Sequence, residues 1–477
     1  MIDLKDLRAN PDRYKTGATA KGTAVDIDAL LGVDGQLREA SVEREQLAAE
    51  KNRIGKQIGQ LAGLLKKAQG PEKEELQTRM TALQQRPNQI KQREQQLQKL
   101  IDELEPKRDD LWLSVPQPPD EDVPRGAGSR DNVAVRCWNP PGFDASRTFA
   151  ENRGFEPKSH VELGHDLGLF DFKRGVKIAG SRSYVLVGDG MRLHQAILRL
   201  GLDFIVHENG FTPMSVPVLV RDAMMVGTGF FPHGRDQTYA IGGVDPDAPD
   251  DADGSAAAGL RAPDRYLTGT GEVGLMGFHE GEILEAESLP RCYTTVSTCF
   301  RREAGAAGKD TAGLFRIHQF DKVEQVVICR ADEAESRRWH KKMIDFVEQL
   351  LRRLELPYRL LQCCTGDLGP KNADQIDIEC WMPGRGDPGP DGRPGGAYAE
   401  THSASRLYDF QCRRLNIRYR DPDSGNMRFC HALNSTVVAS PRILIPILEI
   451  HQNADGSVIV PAALRPYMAG TERLEGA

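Results

Sequence analysis

The sequence predicts an α+β protein in which an N-terminal antiparallel coiled-coil helical hairpin precedes a domain built on a largely antiparallel sheet. Between Tyr14 and Trp112 the chain has no Phe, Trp or Tyr, and its Leu, Gln, Glu, Lys and Arg content is typical of long helices. From about residue 150 onward, aromatic and β-branched residues return in short runs that alternate with helical stretches. This alternation is typical of the α+β class.

The predicted arm consists of two heptad-repeat helices separated by Gln69-Gly70-Pro71. Such a repeat forms a coiled-coil seam, and a single Gly-Pro turn predicts antiparallel pairing. We place the arm at about residues 35–111 of an N-terminal domain covering 1–113, and we expect Gly55, Gly59 and Gly63 to face the partner helix. The seam positions are Ala40, Leu47, Ile54, Ile58, Leu61, Leu65 and Ala68, followed by Leu76, Leu83, Ile90, Leu97, Leu104 and Leu111.

A Pro-rich stretch, VPQPPDEDVPRG, indicates a linker, which we place at residues 114–149. Residues 150–477 then form the predicted sheet domain. Its strand-like runs lie at 184–187, 323–329 and 376–381, and its helical stretches at 191–208 and 331–356. Two low-complexity segments, 242–259 and 384–397, are expected to be surface loops.

Composition excludes several classes of protein. The 477 residues carry 62 Lys and Arg against 69 Asp and Glu, a formal charge of −7, which excludes a uniformly basic nucleic-acid coat. The nine cysteines are scattered without a CxxC spacing, so neither a disulfide framework nor a zinc site is indicated. No run of 18 apolar residues exists, and the charged start MIDLKDLRANPDR lacks the apolar stretch of a secretory signal. We therefore expect a cytoplasmic protein without a membrane span.

The arm has the opposite charge balance. From Lys51 to Lys99 there are eleven Lys and Arg against four Glu, a local charge of +7. A basic surface without aromatic residues can hold a phosphate backbone but cannot stack on bases. Charge alone leaves two interpretations open, which are nucleic-acid binding and a solvated coiled-coil surface.

Three stretches of the predicted sheet domain carry charged residues that a stability argument does not explain. The first is CFRREAGAAGKDTAGLFRIHQFDKVEQV (299–326), which reads as strand, loop and strand. Alternation along the strands places Arg301 with Glu303 on one face, and Phe320, Lys322 and Glu324 together on one face of the returning strand. The other two are YLTGTGEVGL (266–275), and ETHSAS (400–405) with NSTVVASPRILIPILE (434–449).

On these motifs the chain resembles the bacterial-type seryl-tRNA synthetases, a family of class II aminoacyl-tRNA synthetases, over essentially its whole length. FRREAGAAGKDTAGLFRIHQFDKVE resembles motif 2, TGE (270–272) resembles the serine-binding TxE, and CTGDLG (364–369) resembles a further family signature. FTPMSVPVLV (211–220) is similar to motif 1, with Pro217 in the unit that builds the dimer interface. The resemblance implies a class II catalytic domain, an antiparallel sheet flanked by helices, in a homodimer.

The resemblance also implies a serine–tRNA ligase. Such an enzyme activates L-serine with ATP to seryl-adenylate and transfers the seryl group to the 3′ end of tRNA(Ser); tRNA(Sec) is a second acceptor that the sequence leaves open. The implied cofactors are ATP and Mg²⁺. Because the reaction brings two anions together and spreads negative charge, cations are the expected catalysts, and Arg301 and Arg442 match them.

The remaining roles are carried over residue by residue. The resemblance assigns ATP binding to Arg301, Glu303, Ile317, Phe320, Glu400, Ser403 and Arg442. It assigns serine binding to Thr270, Glu272, Arg301, Glu324, Asn434 and Thr436. Glu400 and Ser403 match the residues that offer oxygen ligands to Mg²⁺, a hard cation.

Motif 3 departs from the family pattern. It is usually close to NGSGLAVGR but reads NSTVVASPR (434–442) here, and ETHSAS replaces the more usual EISSCS. Thr436 keeps a hydroxyl, whereas the lost glycines and Pro441 change how closely the backbone approaches a ligand.

Two alternatives stay open beside the serine–tRNA ligase. One is a synthetase-like paralogue that charges another acceptor, and the basic arm argues against it. The other is a non-catalytic RNA-binding scaffold, which would tolerate loss of the motif residues. The chain retains all four of the key ones, Arg301, Glu303, Glu400 and Arg442.

Overall fold

The computed structural model describes residues 1–242, 264–305, 312–387 and 394–476. Most of the predicted low-complexity segment 242–259, and residues 388–393 of the segment 384–397, lie outside the described residues. Contacts divide the chain into two compact units. The helical unit contains Leu4–Lys15 and Ala24–Val115, and the sheet unit contains Met1–Asp3, Thr16–Thr23 and Pro116–Ala477.

The helical unit consists mainly of a helical hairpin. Helix α3 runs from Ile27 to Leu65 and α4 from Pro71 to Ser114, with Gly70 as the N-cap of α4 at φ +63°. Every predicted seam position is buried or half-buried, and Ile90 and Leu97 are almost completely buried. The predicted coiled-coil hairpin is therefore confirmed. Its helices also exchange exposed ion pairs such as Arg86–Glu50, which add little stability.

The expectation that Gly55, Gly59 and Gly63 face the partner helix is wrong. All three are exposed, and a Cβ placed on any of them would meet no atom within 4 Å. The seam residues Ile54 and Ile58 precede two of these glycines by one position, which is a rotation of about 100° around the helix. The glycine ridge therefore lies on the solvent side.

The sheet unit is built on eight strands in the order β1-β9-β10-β11-β14-β8-β7-β2. Neighbours pair antiparallel, except that β2 runs parallel to β7. Three small sheets accompany it, with the orders β13-β12-β6, β15-β16 and β3-β5-β4. The strands are β1 Val133–Trp138, β2 Thr212–Pro213, β3 Leu219–Arg221, β4 Tyr239–Ile241, β5 Arg265–Leu267, β6 Ile283–Leu284, β7 Arg291–Phe300, β8 Gln319–Cys329, β9 Tyr358–Gln362, β10 Asp374–Met382, β11 Ala397–Tyr408, β12 Arg418–Arg420, β13 Met427–Phe429, β14 His431–Ser440, β15 Val458–Ile459 and β16 Arg473–Leu474.

Helices cover one face of the large sheet. Apolar residues of α8 and α11, among them Ile197 and Val347, pack in one core cluster with Val323 and Val327 of β8. On the opposite face of β8, Val326 and Ile328 pack in a second core cluster, while Phe320, Lys322 and Glu324 lie nearer the start of the strand. The helices besides α3 and α4 are α1 Leu4–Ala9, α2 Pro11–Ala20, α5 Phe149–Arg153, α6 His160–Asp166, α7 Phe172–Ala179, α8 Asp189–Asp203, α9 Asp222–Gly227, α10 Glu272–Gly277, α11 Glu333–Arg353, α12 Phe410–Arg414 and α13 Leu444–Ile450.

The N-terminal residues of the sheet unit form hydrogen bonds with two segments that lie far along the chain, the loop 369–372 and helix α12. The Lys21 ammonium donates to the carbonyls of Gly369 at 3.0 Å and Asn372 at 2.5 Å. Burial lowers the pKa of Lys21 to about 7. The amine of Met1 donates to the Phe410 carbonyl at 2.5 Å, at the first residue of α12. The loop 369–372 and α12 are thus both held by the N-terminal residues.

Most predicted elements are present. The runs 323–329 and 376–381 lie in β8 and β10, and the stretches 191–208 and 331–356 contain most of α8 and α11. The run 184–187 is not a strand, because only Leu186 forms a bridge, to Phe170. Residues 133–138, inside the predicted linker, form β1 and pair with β9. In the described residues, no helix combines the length and apolar character that crossing a bilayer requires.

The seam of the hairpin generates a stability prediction. Leu97→Ala should lower the free energy of unfolding of the arm by about 2–5 kcal/mol, because a buried side chain is removed and a cavity remains. Urea denaturation followed by circular dichroism measures the change. Gln92→Ala, at an exposed position of the same helix, is the control and should shift stability by less than about 0.5 kcal/mol. An unchanged transition in Leu97→Ala would contradict the seam.

Candidate active site

A pocket lies on the sheet face opposite α8 and α11. All seven residues predicted to bind ATP line it, together with Thr436 from the predicted serine-binding set. Five further residues complete the lining, and most of them come from the same strands. The lining residues are Arg301, Glu303, Phe315, Ile317, Phe320, Lys322, Glu400, Thr401, His402, Ser403, Thr436, Ala439 and Arg442.

Strand β8 presents its side chains to the pocket in alternation. Phe320 and Lys322 line the pocket, while Val323 between Lys322 and Glu324 packs in the core under α8 and α11. Glu324 is buried and faces Thr436 of β14 as its cross-strand partner. The predicted common face of Phe320, Lys322 and Glu324 is therefore confirmed.

Arg301 and Glu303 lie in the turn that follows β7. The strand ends at Phe300, and Glu303 has φ +52°, in the left-handed region. The expectation that strand alternation aligns these two side chains is therefore wrong. Backbone bonds hold the turn instead, because the Arg301 amide donates to the His318 carbonyl at 2.9 Å. The Glu303 carboxylate accepts a bond from Arg316 at 3.3 Å.

The Arg301 side chain connects the two ends of the site. Its guanidinium carbon lies 5.2 Å from the ring centre of Phe320, and its Nε donates to the Gly269 carbonyl at 3.4 Å. Gly269 precedes Thr270, the first residue of the TGE motif. One cation is thus near both Phe320 of the predicted ATP-binding set and the predicted serine-binding residues.

Arg442 follows β14 and is fixed by backbone acceptors. Its Nε donates to the Phe315 carbonyl and its Nη1 to the Glu400 carbonyl, each at 3.1 Å, and Nη1 also lies 3.5 Å from the Glu400 carboxylate. Burial lowers the pKa of Arg442, whereas the Glu400 charge opposes that shift. A guanidinium stays protonated in proteins, so Arg442 offers a fixed positive charge to the pocket.

Glu400 and Ser403, the predicted Mg²⁺ ligands, both project from β11 into the pocket. A carboxylate and a hydroxyl are the hard oxygen donors that Mg²⁺ prefers, and phosphate oxygens of a nucleotide would complete such a set. The Glu400 side chain is 46% exposed, so its oxygens are accessible to an ion in the pocket. The donor chemistry therefore fits Mg²⁺.

A β-bulge lies inside the unusual motif 3. Pairing between β14 and β8 shifts register between Thr436 and Val438. Val437 and Val438 both belong to the core cluster, while Thr436 and Ala439 both line the pocket. In a regular strand, residues three apart point to opposite faces, so the bulge is what directs both Thr436 and Ala439 to the pocket.

The predicted serine-binding residues adjoin this pocket. The Lys322 ammonium donates to the Thr270 hydroxyl at 2.9 Å and pairs closely with the Glu324 carboxylate. The Thr270 hydroxyl in turn donates to Glu324 at 3.2 Å and accepts from the Glu272 amide at 3.2 Å. Burial raises the pKa of Glu324, and the neighbouring Lys322 opposes the shift.

The carboxylate of Glu272 is enclosed by donors. Lys371 donates to both of its oxygens, at 2.8 and 2.7 Å, and Gln411 donates to Oε1 at 2.7 Å. Asn434 also donates to Oε1. Glu272 is 3% exposed, so these bonds replace the water that a carboxylate otherwise requires. Burial lowers the pKa of Lys371, and Glu272 opposes that shift.

Three residues that contact the predicted serine-binding set were missed from the sequence. Alternation placed Lys322 on the correct face but gave it no role. Gln411 carried no signal, because it is 139 residues from Glu272 and belongs to no quoted motif. Lys371 is 99 residues from Glu272, and its place just after CTGDLG was the one hint to it.

Comparisons with known proteins identify the class of protein. The model of the tRNA synthetase class II core domain (G, H, P, S and T) matches residues 261–451, and that of the seryl-tRNA synthetase N-terminal domain matches residues 1–107. An antiparallel sheet carrying this core defines the chain as a class II aminoacyl-tRNA synthetase.

Full-length relatives show which family of class II synthetases the chain resembles. The chain is 38% identical to a serine–tRNA ligase of Deinococcus radiodurans, with 99% of both chains covered. It is 41% identical to that of Halorubrum lacusprofundi, over 100% of this chain and 97% of the relative. A crystal structure of seryl-tRNA synthetase from Pyrococcus horikoshii complexed with ATP matches with a TM-score of 0.83 and 35% identity, covering 100% of both chains. The chain belongs to the seryl-tRNA synthetase family.

The buried pair Lys322–Glu324 generates a prediction about stability. Lys322→Met should lower the free energy of unfolding by about 3–5 kcal/mol, because it leaves the Glu324 carboxylate buried without its cation. The double variant Lys322→Met/Glu324→Gln removes both charges and should recover most of the loss. Chemical denaturation of the three proteins measures both changes. A double variant as unstable as Lys322→Met would show that the ion pair is not the cause.

Proposed function

We propose that the protein is a serine–tRNA ligase, which activates L-serine with ATP and transfers the seryl group to the 3′ end of tRNA(Ser). One observation carries the proposal: the residues predicted for ATP and those predicted for serine form one continuous site, joined by Arg301. The full-length similarity to serine–tRNA ligases supports the same substrates.

Activation requires little proton transfer. The serine carboxylate, already ionised at neutral pH, attacks the α-phosphorus of ATP, forming a carboxyl–phosphate bond while the bond to the β-phosphate oxygen breaks and pyrophosphate leaves. Negative charge spreads over the phosphate oxygens in the transition state. Arg301 and Arg442 stabilise this charge from fixed positions, with Arg301 at the serine carboxylate and α-phosphate and Arg442 at the γ-phosphate.

The adenine base and the metal ion have their own partners in this proposal. Phe320 stacks on the base, Glu303 accepts from its amino group, and Ile317 contributes apolar contact beside it. Glu400 and Ser403 would hold Mg²⁺, and the ion would supply positive charge to neutralise the phosphate oxygens.

Serine recognition uses the buried polar end of the site. The Glu324 carboxylate accepts from the ammonium and hydroxyl of serine, and the Thr270 hydroxyl accepts from the ammonium. Asn434 and Thr436 complete the pocket, and Arg301 pairs with the carboxylate of serine. Buried groups that need a hydroxyl partner discriminate against alanine, because they would otherwise remain unpaired. Glu272 belongs to the same serine-binding set and contacts Thr270 and Asn434.

The second step transfers the seryl group to the ribose 3′-hydroxyl of tRNA, and we propose the arm as the tRNA-binding element. All eleven Lys and Arg between residues 51 and 99 are exposed, nine of them on α3 and α4 and the other two, Lys66 and Lys67, in the turn that joins these helices. Exposed cations on a helix pair bind phosphates through counterion release, without reading bases.

We also propose a homodimer assembled through the motif 1 segment, 211–220. This segment contains the sheet-edge strand β2 and Leu219, whose side chain is 46% exposed. Sedimentation equilibrium of the full chain measures the association, and a monomer at micromolar concentration would contradict it. A cytoplasmic location belongs to the same proposal.

The first functional prediction concerns the two arginines. Arg301→Ala and Arg442→Ala should each reduce serine-dependent ATP–pyrophosphate exchange by on the order of 100-fold or more, because one contact to developing charge is lost. Circular dichroism checks that both variants remain folded. Arg420→Ala, in the separate small sheet, is the control and should exchange normally. A folded variant with near-normal exchange would remove that arginine from the mechanism.

The second functional prediction separates activation from charging. Deleting about residues 37–108 should leave pyrophosphate exchange largely intact and abolish efficient charging of tRNA(Ser). In the full chain, replacing Lys56, Lys66, Lys67 and Lys73 with Gln should raise KM for tRNA and flatten its salt dependence. Full charging by the shortened chain would contradict the role of the arm.

The same assay distinguishes the remaining alternatives. Exchange without charging of tRNA(Ser) would favour the paralogue with another acceptor, and absence of exchange would favour the RNA-binding scaffold. Including tRNA(Sec) beside tRNA(Ser) tests the second acceptor.

A further inference from the structure

Glu449, on α13, is a completely buried carboxylate that binds two other segments of the sheet unit. Its Oε1 accepts from the backbone amide of His160, the first residue of α6, at 2.8 Å and lies 2.8 Å from the ring Nδ1 of the same residue. Its Oε2 accepts from the Gly384 amide at 2.8 Å. In the described part of the chain, neither Glu449 nor His160 is among the residues that line the pocket. Any effect of this pair on the pocket must therefore act through other residues.

The other ring nitrogen of His160 contacts the chain where it returns from the motif 2 loop. The Leu314 amide donates to His160 Nε2 at 3.2 Å. Because Nε2 accepts this bond, the imidazole is neutral and its proton is on Nδ1, which donates to the Glu449 carboxylate. Gly313 packs closely against the same ring, since a Cβ placed on it would lie 2.4 Å from Nε2. The His160 ring therefore fixes the position of residues 313–314.

The next residue, Phe315, connects this contact to Arg442. The Phe315 carbonyl accepts from Arg442 Nε at 3.1 Å, and the guanidinium carbon lies 4.5 Å from the centre of the Phe315 ring. Leu314 and Phe315 are both buried. A series of direct contacts thus leads from Glu449 through His160 and residues 314–315 to the arginine at the phosphate end of the pocket.

We propose that His160, oriented by Glu449, is a positioning residue for Arg442. It holds the chain segment whose carbonyl directs the Arg442 guanidinium toward the phosphates of ATP. This inference rests on the proposed function, in which Arg442 acts at the γ-phosphate.

The chemistry of imidazole suits this role. A neutral imidazole accepts a bond at one nitrogen and donates at the other, so one ring can join the Leu314 amide to the Glu449 carboxylate. It also adds no charge beside Arg442. A carboxylate in the place of the ring would compete with the phosphates for the guanidinium, and an ammonium group would have no lone pair for the Leu314 amide.

The experiment compares the binding of ATP and AMP by titration calorimetry. His160→Leu removes both ring nitrogens and should weaken ATP binding by on the order of 10-fold, because a contact to a charged group is misplaced. AMP lacks the β- and γ-phosphates, so its affinity should not change. His160→Gln keeps an acceptor for the Leu314 amide and should retain most of the ATP affinity. The matched control His165→Ala, exposed on the same helix, should bind both nucleotides normally.

A double-mutant cycle tests whether His160 acts through Arg442. In the Arg442→Ala background, His160→Leu should cause no further loss of ATP affinity, because the side chain that it positions is absent. A merely structural role of His160 would weaken AMP binding as much as ATP binding and would give equal losses in both backgrounds. Either of these results would overturn the proposal.

Two further measurements keep the test decisive. If His160→Leu does not fold, Gly313→Ala disturbs the same contact from the loop side and should weaken ATP binding without weakening AMP binding. Calorimetry does not depend on catalysis, so a wild type that binds ATP without serine-dependent exchange would count against the proposed function alone. Unchanged ATP affinity in folded His160→Leu, or in Arg442→Ala, would overturn the positioning role of His160.

Discussion

The buried carboxylate of Glu272 is the constraint on which the amino-acid end of the site depends. A charge with so little access to water is tolerated only where donors replace the lost hydration. Those donors come from separate parts of the chain: Lys371 from the loop before β10, Gln411 from α12 and Asn434 from β14. The pocket is therefore complete only when these elements have assembled around α10, which makes folding of the sheet unit and formation of the pocket one process.

The residues of the site lie partly within the strands of the large sheet and partly in the chain that follows those strands. Side chains within β8, β11 and β14 face either the helix-covered core or the pocket. The buried polar side chains on the pocket side form hydrogen bonds or ion pairs with one another, as Lys322 does with Glu324. The two arginines proposed for phosphate chemistry follow β7 and β14, where the chain leaves the sheet, and each donates to backbone carbonyls. A carbonyl positions a guanidinium without neutralising it, so its charge stays available to an anion.

Much of this molecule could be predicted from local patterns. The hairpin follows from heptads, because a coiled-coil seam is a property of one sequence stretch and its nearest neighbour. The common face of Phe320, Lys322 and Glu324 follows from the period of a strand. The three glycines were wrongly predicted to face the partner helix. The spacing of Gly55, Gly59 and Gly63 shows that they share one face of the helix, but only the seam residues show which face meets the partner.

Contacts between remote residues were not predictable in the same way. Nothing near Lys371 or Gln411 in the sequence indicates that Glu272 is their partner, since the sheet order that unites them is a long-range property. The turn geometry of Glu303 and the register shift after Thr436 were likewise hidden, because both depend on pairing with another strand. The assignments of ligand roles rest on family resemblance and chemistry, and the structure adds to them the distances within the site.

The bulge in β14 also constrains how this stretch can change in evolution. Thr436 and Ala439 are three residues apart, so the register shift between them, and not simple alternation, keeps both on the pocket face. A substitution that returned the strand to regular pairing at unchanged length would turn Ala439, and the approach to Arg442, away from the pocket. Motif 3 is therefore constrained in its backbone register as well as in the side chains that line the pocket.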